Sequence, residues 1–172
     1  MNSTNETDST RLIVRETAVQ MRQYRDRAVF CIDQLDEAHI WYRPNPVSNS
    51  IENLILHMTG SLREWSLGGI GNLPLSRDRP AEFSATSGQT KSELVGLLQD
   101  MVNKCSEIID SIPAERISEK KLIQGEEVTI ARALVGAVSH FGFHVGQMHY
   151  IAKMLLSHAY LDSWKPQGGT SH

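Results

Sequence analysis

Several things are scarce in this 172-residue chain, and each scarcity excludes something. There are two cysteines, Cys31 and Cys105, both at apolar positions of helical patterns, so they read as buried free thiols and offer no disulfide framework. No apolar run approaches the ~20 residues of a membrane span. Basic residues never cluster beyond a few in a row, and the net charge is −3, so the electrostatic footprint of a nucleic-acid binder is missing. Residues 1–10 are polar and slightly acidic, without the basic start and apolar stretch of a secretory signal, which leads to the expectation of a cytoplasmic protein. Internal repeats are lacking as well.

What is present is helical periodicity. Apolar residues make up 40% of the chain and charged residues 22%, ordinary values for one globular domain able to bury a real core. Val14, Ala18, Met21, Ala28, Cys31, Ile32 and Leu35 recur at three- and four-residue steps, predicting a helix over 10–39. Pro44 and Pro46 end it. Ser48 or Ser50 can cap a second helix, with Glu52 near its positive end, carrying Ile51, Leu54, Ile55, Met58, Leu62 and Trp65 and breaking at Gly68-Gly69.

Residues 68–89 hold four glycines and two prolines, too long a connection for a simple turn; such loops inside a compact domain are usually functional or crossover segments. A third helix is predicted over 90–112 and stopped by Pro113, then a short hairpin around Gln124-Gly125, a cap at Thr129 and a last helix to 156. The prediction is all-α: a four-helix bundle with one long crossover and one short β-hairpin, over residues 11–157. A flexible N-terminus (1–10) and a flexible tail (158–172) flank it.

The last helix contains SHFGFHVGQMHYIAK. His140 and His144, four apart, share a helical face with roughly 6 Å between their Cβ atoms, a spacing that lets two imidazoles grip one ion. That face also carries Ala133, Ala137, Gln147, Ile151 and Leu155, so both rings project from an apolar stripe, where an unpaired imidazole is costly. His149, turned to the opposite side, is expected in solvent. The zincin pattern is absent, because Phe141 stands where its general-base Glu would be. So is the Glu-x-x-His pair of di-iron carboxylate bundles. His57, in SIENLILHMTG, is the third candidate; three neutral imidazoles would leave coordination positions open, as catalytic sites do. Imidazole ligands suit Zn, Ni or Fe and do not choose among them.

With these residues assembled, the chain resembles the DinB/YfiT-like superfamily of candidate metalloenzymes. The resemblance rests on Ser50-Ile51 and His57, on His140, His144, Gly146 and Gln147 in HxxxHxGQ, and on the run-in IQGEEVTIARAL, and covers most of the chain. It implies a four-helix bundle, a divalent-metal site with His57, His140 and His144 as ligands, and a homodimer. It also implies a small-molecule substrate, a low-molecular-weight thiol among the options, since relatives include thiol-dependent S-transferases and isomerases. Many relatives have Glu where this chain has Phe141.

Gln147, one turn beyond His144, is the candidate for cofactor binding, through a ligand ring or a bound water; packing between helices is the other reading. Gly142 and Gly146 form a small-xxx-small pair suited to close helix approach. Glu64 reads as a solvated surface residue and Trp65 as core or interface. Three functional classes stay open: a metal-dependent enzyme for thiol transfer or hydrolysis, a non-enzymatic metal-binding or stress-associated bundle, and an interaction module whose histidines merely pack.

Overall fold

A computed structural model describes residues 2–162, with side chains from residue 7 onward; most of the tail expected over 158–172 lies outside the described residues. The element order is α1 (Asn2–Asp33), α2 (Glu37–Ile40), α3 (Ile51–Leu62) with a π-helical continuation (Arg63–Ile70), α4 (Arg79–Ser84), α5 (Lys91–Asp110), a 3-10 turn (Ala114–Arg116), β1 (Lys120–Ile123), β2 (Glu126–Thr129), α6 (Ile130–Leu156) and a final 3-10 turn (Ser157–Ala159). Each of α1 and α3 packs against both α5 and α6, so α1 and α3 occupy opposite corners of a four-helix bundle. Among the described residues, no helix is long and apolar enough to cross a membrane.

The helix starts follow local chemistry. Ser50 caps α3 in a reciprocal box with Asn53, Thr90 caps α5 in one with Glu93, and Thr129 caps α6 by accepting from the Arg132 N–H. Of the two serines offered for α3, Ser50 is the cap. The core is one contiguous cluster that includes Met21, Ile32, Leu54, Met58, Leu98, Phe141 and Met148. Cys31 and Cys105 lie in it as free, fully buried thiols. The hairpin turns at Gln124-Gly125, both with positive φ, the backbone of a two-residue type I′ turn.

Three details differ from the expectations. The first helix starts at Asn2 and stops at Asp33; Asp36 then caps a separate short α2 by accepting from the His39 N–H, which splits the pattern read over 10–39. Gly68-Gly69 does not break the second helix, which runs on to Ile70 in π-helical form. The two glycines instead admit neighbours: a Cβ on Gly68 would collide with Leu75 of the crossover, and one on Gly69 with Ile123 of the hairpin. Finally, the crossover holds a helix of its own, α4, capped by Asp78 and led in by Pro80.

Candidate metal centre

α3 and α6 are neighbours in the bundle, and the three histidines meet between them. His57 Nε2 lies 3.1 Å from His140 Nε2, and His144 Nε2 lies 3.0 Å from the same atom. The three ligand atoms all fall within 4.8 Å of one another. His57 and His144 are buried, at 6% and 8% exposure, while His140 is half-buried.

The outward nitrogens decide what the inward ones can do. His57 Nδ1 faces Glu82 Oε2 at 3.0 Å and, farther off, Arg77 Nη2 at 3.3 Å; that Nη2 makes its shorter bond, 2.8 Å, to Glu82, and the carboxylate can only accept, so the nearer contact assigns the proton to Nδ1. His144 Nδ1 donates to Gln147 Oε1 at 2.7 Å on the same logic. In the neutral rings, Nε2 of His57 and of His144 is then a bare lone pair, and both point at His140 Nε2. Burial lowers the pKa of all three rings; for His140, burial and then the neighbouring imidazoles, Arg77 and Arg79 push it down to about 4. Three neutral imidazoles at nitrogen separations of 3.0 and 3.1 Å fit one divalent ion. Metal–nitrogen bonds of about 2.0–2.1 Å place two ligands roughly 3.0–3.4 Å apart. Gln147 therefore stands behind the His144 ring, as the group that fixes its tautomer.

The partner of His57 comes from the crossover. Glu82 is buried and accepts from Arg77 twice, from Nε at 2.7 Å and Nη2 at 2.8 Å. Arg77 also pairs with Glu64, which accepts from Gln124 at the hairpin tip at 2.7 Å. Glu64, expected in solvent, is thus half-buried in a network joining the π-helical segment, crossover and hairpin. The segment bearing Glu82 is clamped onto α3: buried Asn53 donates to the carbonyls of Glu82 and Ala85 at 3.0 and 2.9 Å, and Arg43 to those of Phe83 and Ala85 at 2.7 and 3.2 Å. Phe83 rests against the His57 ring, with centroids 4.6 Å apart. The result is the carboxylate–histidine pairing that orients metal ligands and raises their basicity. Glu82, Arg77 and Phe83 did not emerge from the sequence; the one signal there was the length of the crossover that contains them.

Other candidates resolve as follows. Phe141 is fully buried and meets Tyr24 edge-on, at 6.2 Å between centroids. Gly142 makes room for that same Tyr24, whose ring would lie 2.7 Å from a Cβ, whereas a Cβ on Gly146 would meet nothing within 4 Å. His149 is half-buried rather than solvated and hydrogen-bonds to the Tyr160 hydroxyl. Trp65, with Ser61, Arg77, Arg79, Gln124, Arg132 and Gly136, lines a cavity of about 310 Å³ that opens onto His57 and His140. A wider groove of about 750 Å³ lies further along α6, past Phe143, Gln147 and Tyr150.

The bundle has the DinB-like fold, and its histidine cluster could hold a metal ion between two neighbouring helices. The chain belongs to the family described as "Protein of unknown function (DUF1572)", which matches residues 8–166. Its fold is similar to a conserved protein from Enterococcus faecalis, with TM-score 0.65 and 19% identity, covering 81% of this chain and 95% of that one. A DinB-like protein from Bacillus subtilis gives 0.63 and 18%, covering 81% and 91%. A DinB-like protein from Bacillus cereus gives 0.64 and 13%, covering 80% and 90%. No curated protein matches the chain.

Proposed function

We propose that this protein is a divalent-metal-dependent enzyme acting on a small molecule, with His57, His140 and His144 as the protein ligands. The observation that carries this reading is the convergence of three Nε2 atoms, two of them on rings, His57 and His144, whose tautomers are fixed from behind by Glu82 and Gln147. A structural site would be closed by a fourth protein ligand; here a cavity reaches His57 and His140, which favours an open coordination sphere. An ion held there would lower the pKa of a bound water or thiol and supply a nucleophile near neutral pH. The surrounding residues bind and orient: Glu82 and Gln147 hold the ligand rings, while Trp65 and Ser61 shape the space a substrate would enter. Thiol transfer and hydrolysis both use such a site, with a low-molecular-weight thiol as a candidate substrate; a cytoplasmic setting agrees with two buried free cysteines.

The test is metal analysis of protein purified without a histidine tag, followed by turnover. About one equivalent of Zn, Ni or Fe per chain and metal-dependent conjugation of a thiol to an electrophile, or metal-dependent hydrolysis, are the expected results. Stoichiometric metal without either activity would favour the non-enzymatic reading; absence of metal binding would overturn the site.

A homodimer belongs to the same proposal. Gly142 cannot support it, since Tyr24 of the same chain fills that face. Support comes instead from exposed apolar residues along α6, namely Phe143, Tyr150 and Met154 at 65%, 69% and 53% exposure, with Val47 beside them at 94%. Light scattering should return a dimer mass that Tyr150→Glu converts to a monomer; a monomeric wild type would reject it.

A further inference from the structure

Three arginines line the cavity that opens onto His57 and His140, and they are not equivalent. Arg77 is neutralised by Glu64 and Glu82. Arg79 and Arg132, among the described residues, make no ion pair and no side-chain hydrogen bond. Arg79 lies over the Phe83 ring, its guanidinium carbon 5.1 Å from the centroid, and Phe83 in turn packs on His57. Arg132 stands in the first turn of α6, two turns before His140 on the same face, roughly 12 Å away along the axis. Between them at position 136 is a glycine, where a Cβ would meet nothing within 4 Å. The stripe Arg132–Gly136–His140 is therefore a cation, a gap and a metal ligand in sequence.

We propose that this cavity selects an anionic small molecule, its carboxylate or phosphate held by Arg79 and Arg132 while another part of it reaches the metal position. The inference rests on the metal-site reading for the second half of that sentence and on the arginines alone for the first. The charge balance points the same way. Three neutral imidazoles leave a divalent ion's charge in place, and the two free guanidiniums add to it, against one excess carboxylate from Glu64, Glu82 and Arg77. A cavity lined by such an excess concentrates anions. Guanidinium forks match the planar oxygens of carboxylate and phosphate. The volume, about 310 Å³, suits a metabolite-sized occupant rather than a polymer. Gly136 keeps the path between the anion end and the metal end clear.

The experiment separates the two halves. Zinc is first titrated calorimetrically into metal-free, tag-free protein, which reports on the histidine site alone. Binding of succinate and of inorganic phosphate to metal-free protein is then followed through Trp65 fluorescence, with Trp65→Phe as the control for the signal. Finally, acetohydroxamate, succinate monohydroxamate and the corresponding phosphonate hydroxamate are compared on the zinc-loaded protein. The anionic hydroxamates should bind about tenfold or more tightly than acetohydroxamate, the worth of one charge-assisted hydrogen bond. Whichever of the two binds tighter identifies carboxylate or phosphate as the preferred group.

Arg79→Gln and Arg132→Gln should each erase most of that preference and leave zinc and acetohydroxamate binding unchanged. Gly136→Leu, whose Cβ would meet nothing within 4 Å, should keep zinc and reject the longer anions. Equal affinity for neutral and anionic hydroxamates, or arginine variants that weaken both alike, would overturn the proposal even if zinc binds. If zinc does not bind, arginine-dependent binding of succinate or phosphate would sustain the anion site while the metal reading falls, and its absence would overturn both.

Discussion

Gly60 and Glu82 compete for the same space. A Cβ added at Gly60 would sit on Glu82 Oε1 and within 3.0 Å of Arg77 Nε, so the carboxylate that orients His57 lies directly on the backbone of α3, one turn after His57 itself. Gly60→Ala should therefore act at the candidate metal centre, although it adds one methyl to a helix that would otherwise welcome it. We expect zinc affinity to fall about 10–100-fold, the usual cost of losing a group that orients a metal ligand. Glu82→Gln should fall in the same range. Calorimetric zinc titrations check both, and a Gly60→Ala protein with wild-type affinity would show that Glu82 does not orient His57.

The ligand assignment predicts a pattern across four histidines. His57→Ala, His140→Ala and His144→Ala should each abolish the rise in melting temperature on adding zinc or nickel. A metal that binds only the folded state adds ~2.7 kcal/mol at a hundredfold excess over Kd, and these variants lose that increment. His149→Ala should melt lower than wild type without metal, because it gives up the Tyr160 hydrogen bond, yet keep the full metal-induced rise. Retention of the shift by His57→Ala would show that the ion does not bridge α3 and α6.

The bundle could be read from the sequence because its causes are local: the apolar stripes, the caps at Ser50 and Thr129, the stop at Pro113 and the Gln124-Gly125 turn all act within a few residues. His140 and His144 were legible for the same reason, as i and i+4 on one helix. His57 could be named as a candidate from its helix, but its assignment as a ligand needed the family pattern, since no spacing links it to α6. Arg77, Glu82 and Phe83 were out of reach because they lie in a connection whose placement depends on tertiary clamps by Asn53 and Arg43. Gly60 had no visible reason at all until the side chain it accommodates was known. The early end of the first helix turned on Asp36, which competes for the backbone as a cap, a preference weaker than the apolar period that ran past it.

The two thiols should be chemically silent in the folded protein. Burial pushes Cys31 and Cys105 each up to about 12, and neither side chain is exposed. Thiolate is the reactive form, and almost none exists near neutral pH under those conditions. Ellman's reagent should label no cysteine in native protein and both after denaturation in guanidinium. Rapid labelling of the native state would mean that the α1–α5 contact opens readily.

Glu52 supplies a pH dependence independent of the three clustered histidines. It stands in the first turn of α3, where a carboxylate would ordinarily face solvent and favour the helix dipole, but it is 1% exposed and its Oε2 has no hydrogen-bond partner. Burial pushes its pKa up to about 7, against the smaller opposing effect of a backbone hydrogen bond at Gln89. The folded value therefore lies above the unfolded one, which for a glutamate is about 4.3. Between those two values the native state holds a proton that the unfolded chain has already released. Stability from this group is thus complete below the unfolded value and is lost as pH rises through the folded one. Glu52→Gln keeps the shape and removes the titration. Melting temperatures of wild type and variant, measured in chelator from about pH 5 to about pH 8, should diverge as pH rises, with the variant the more stable at the alkaline end. A difference that stays constant across the range, or that favours wild type at high pH, would mean that the Glu52 carboxylate is solvated or paired in the native state.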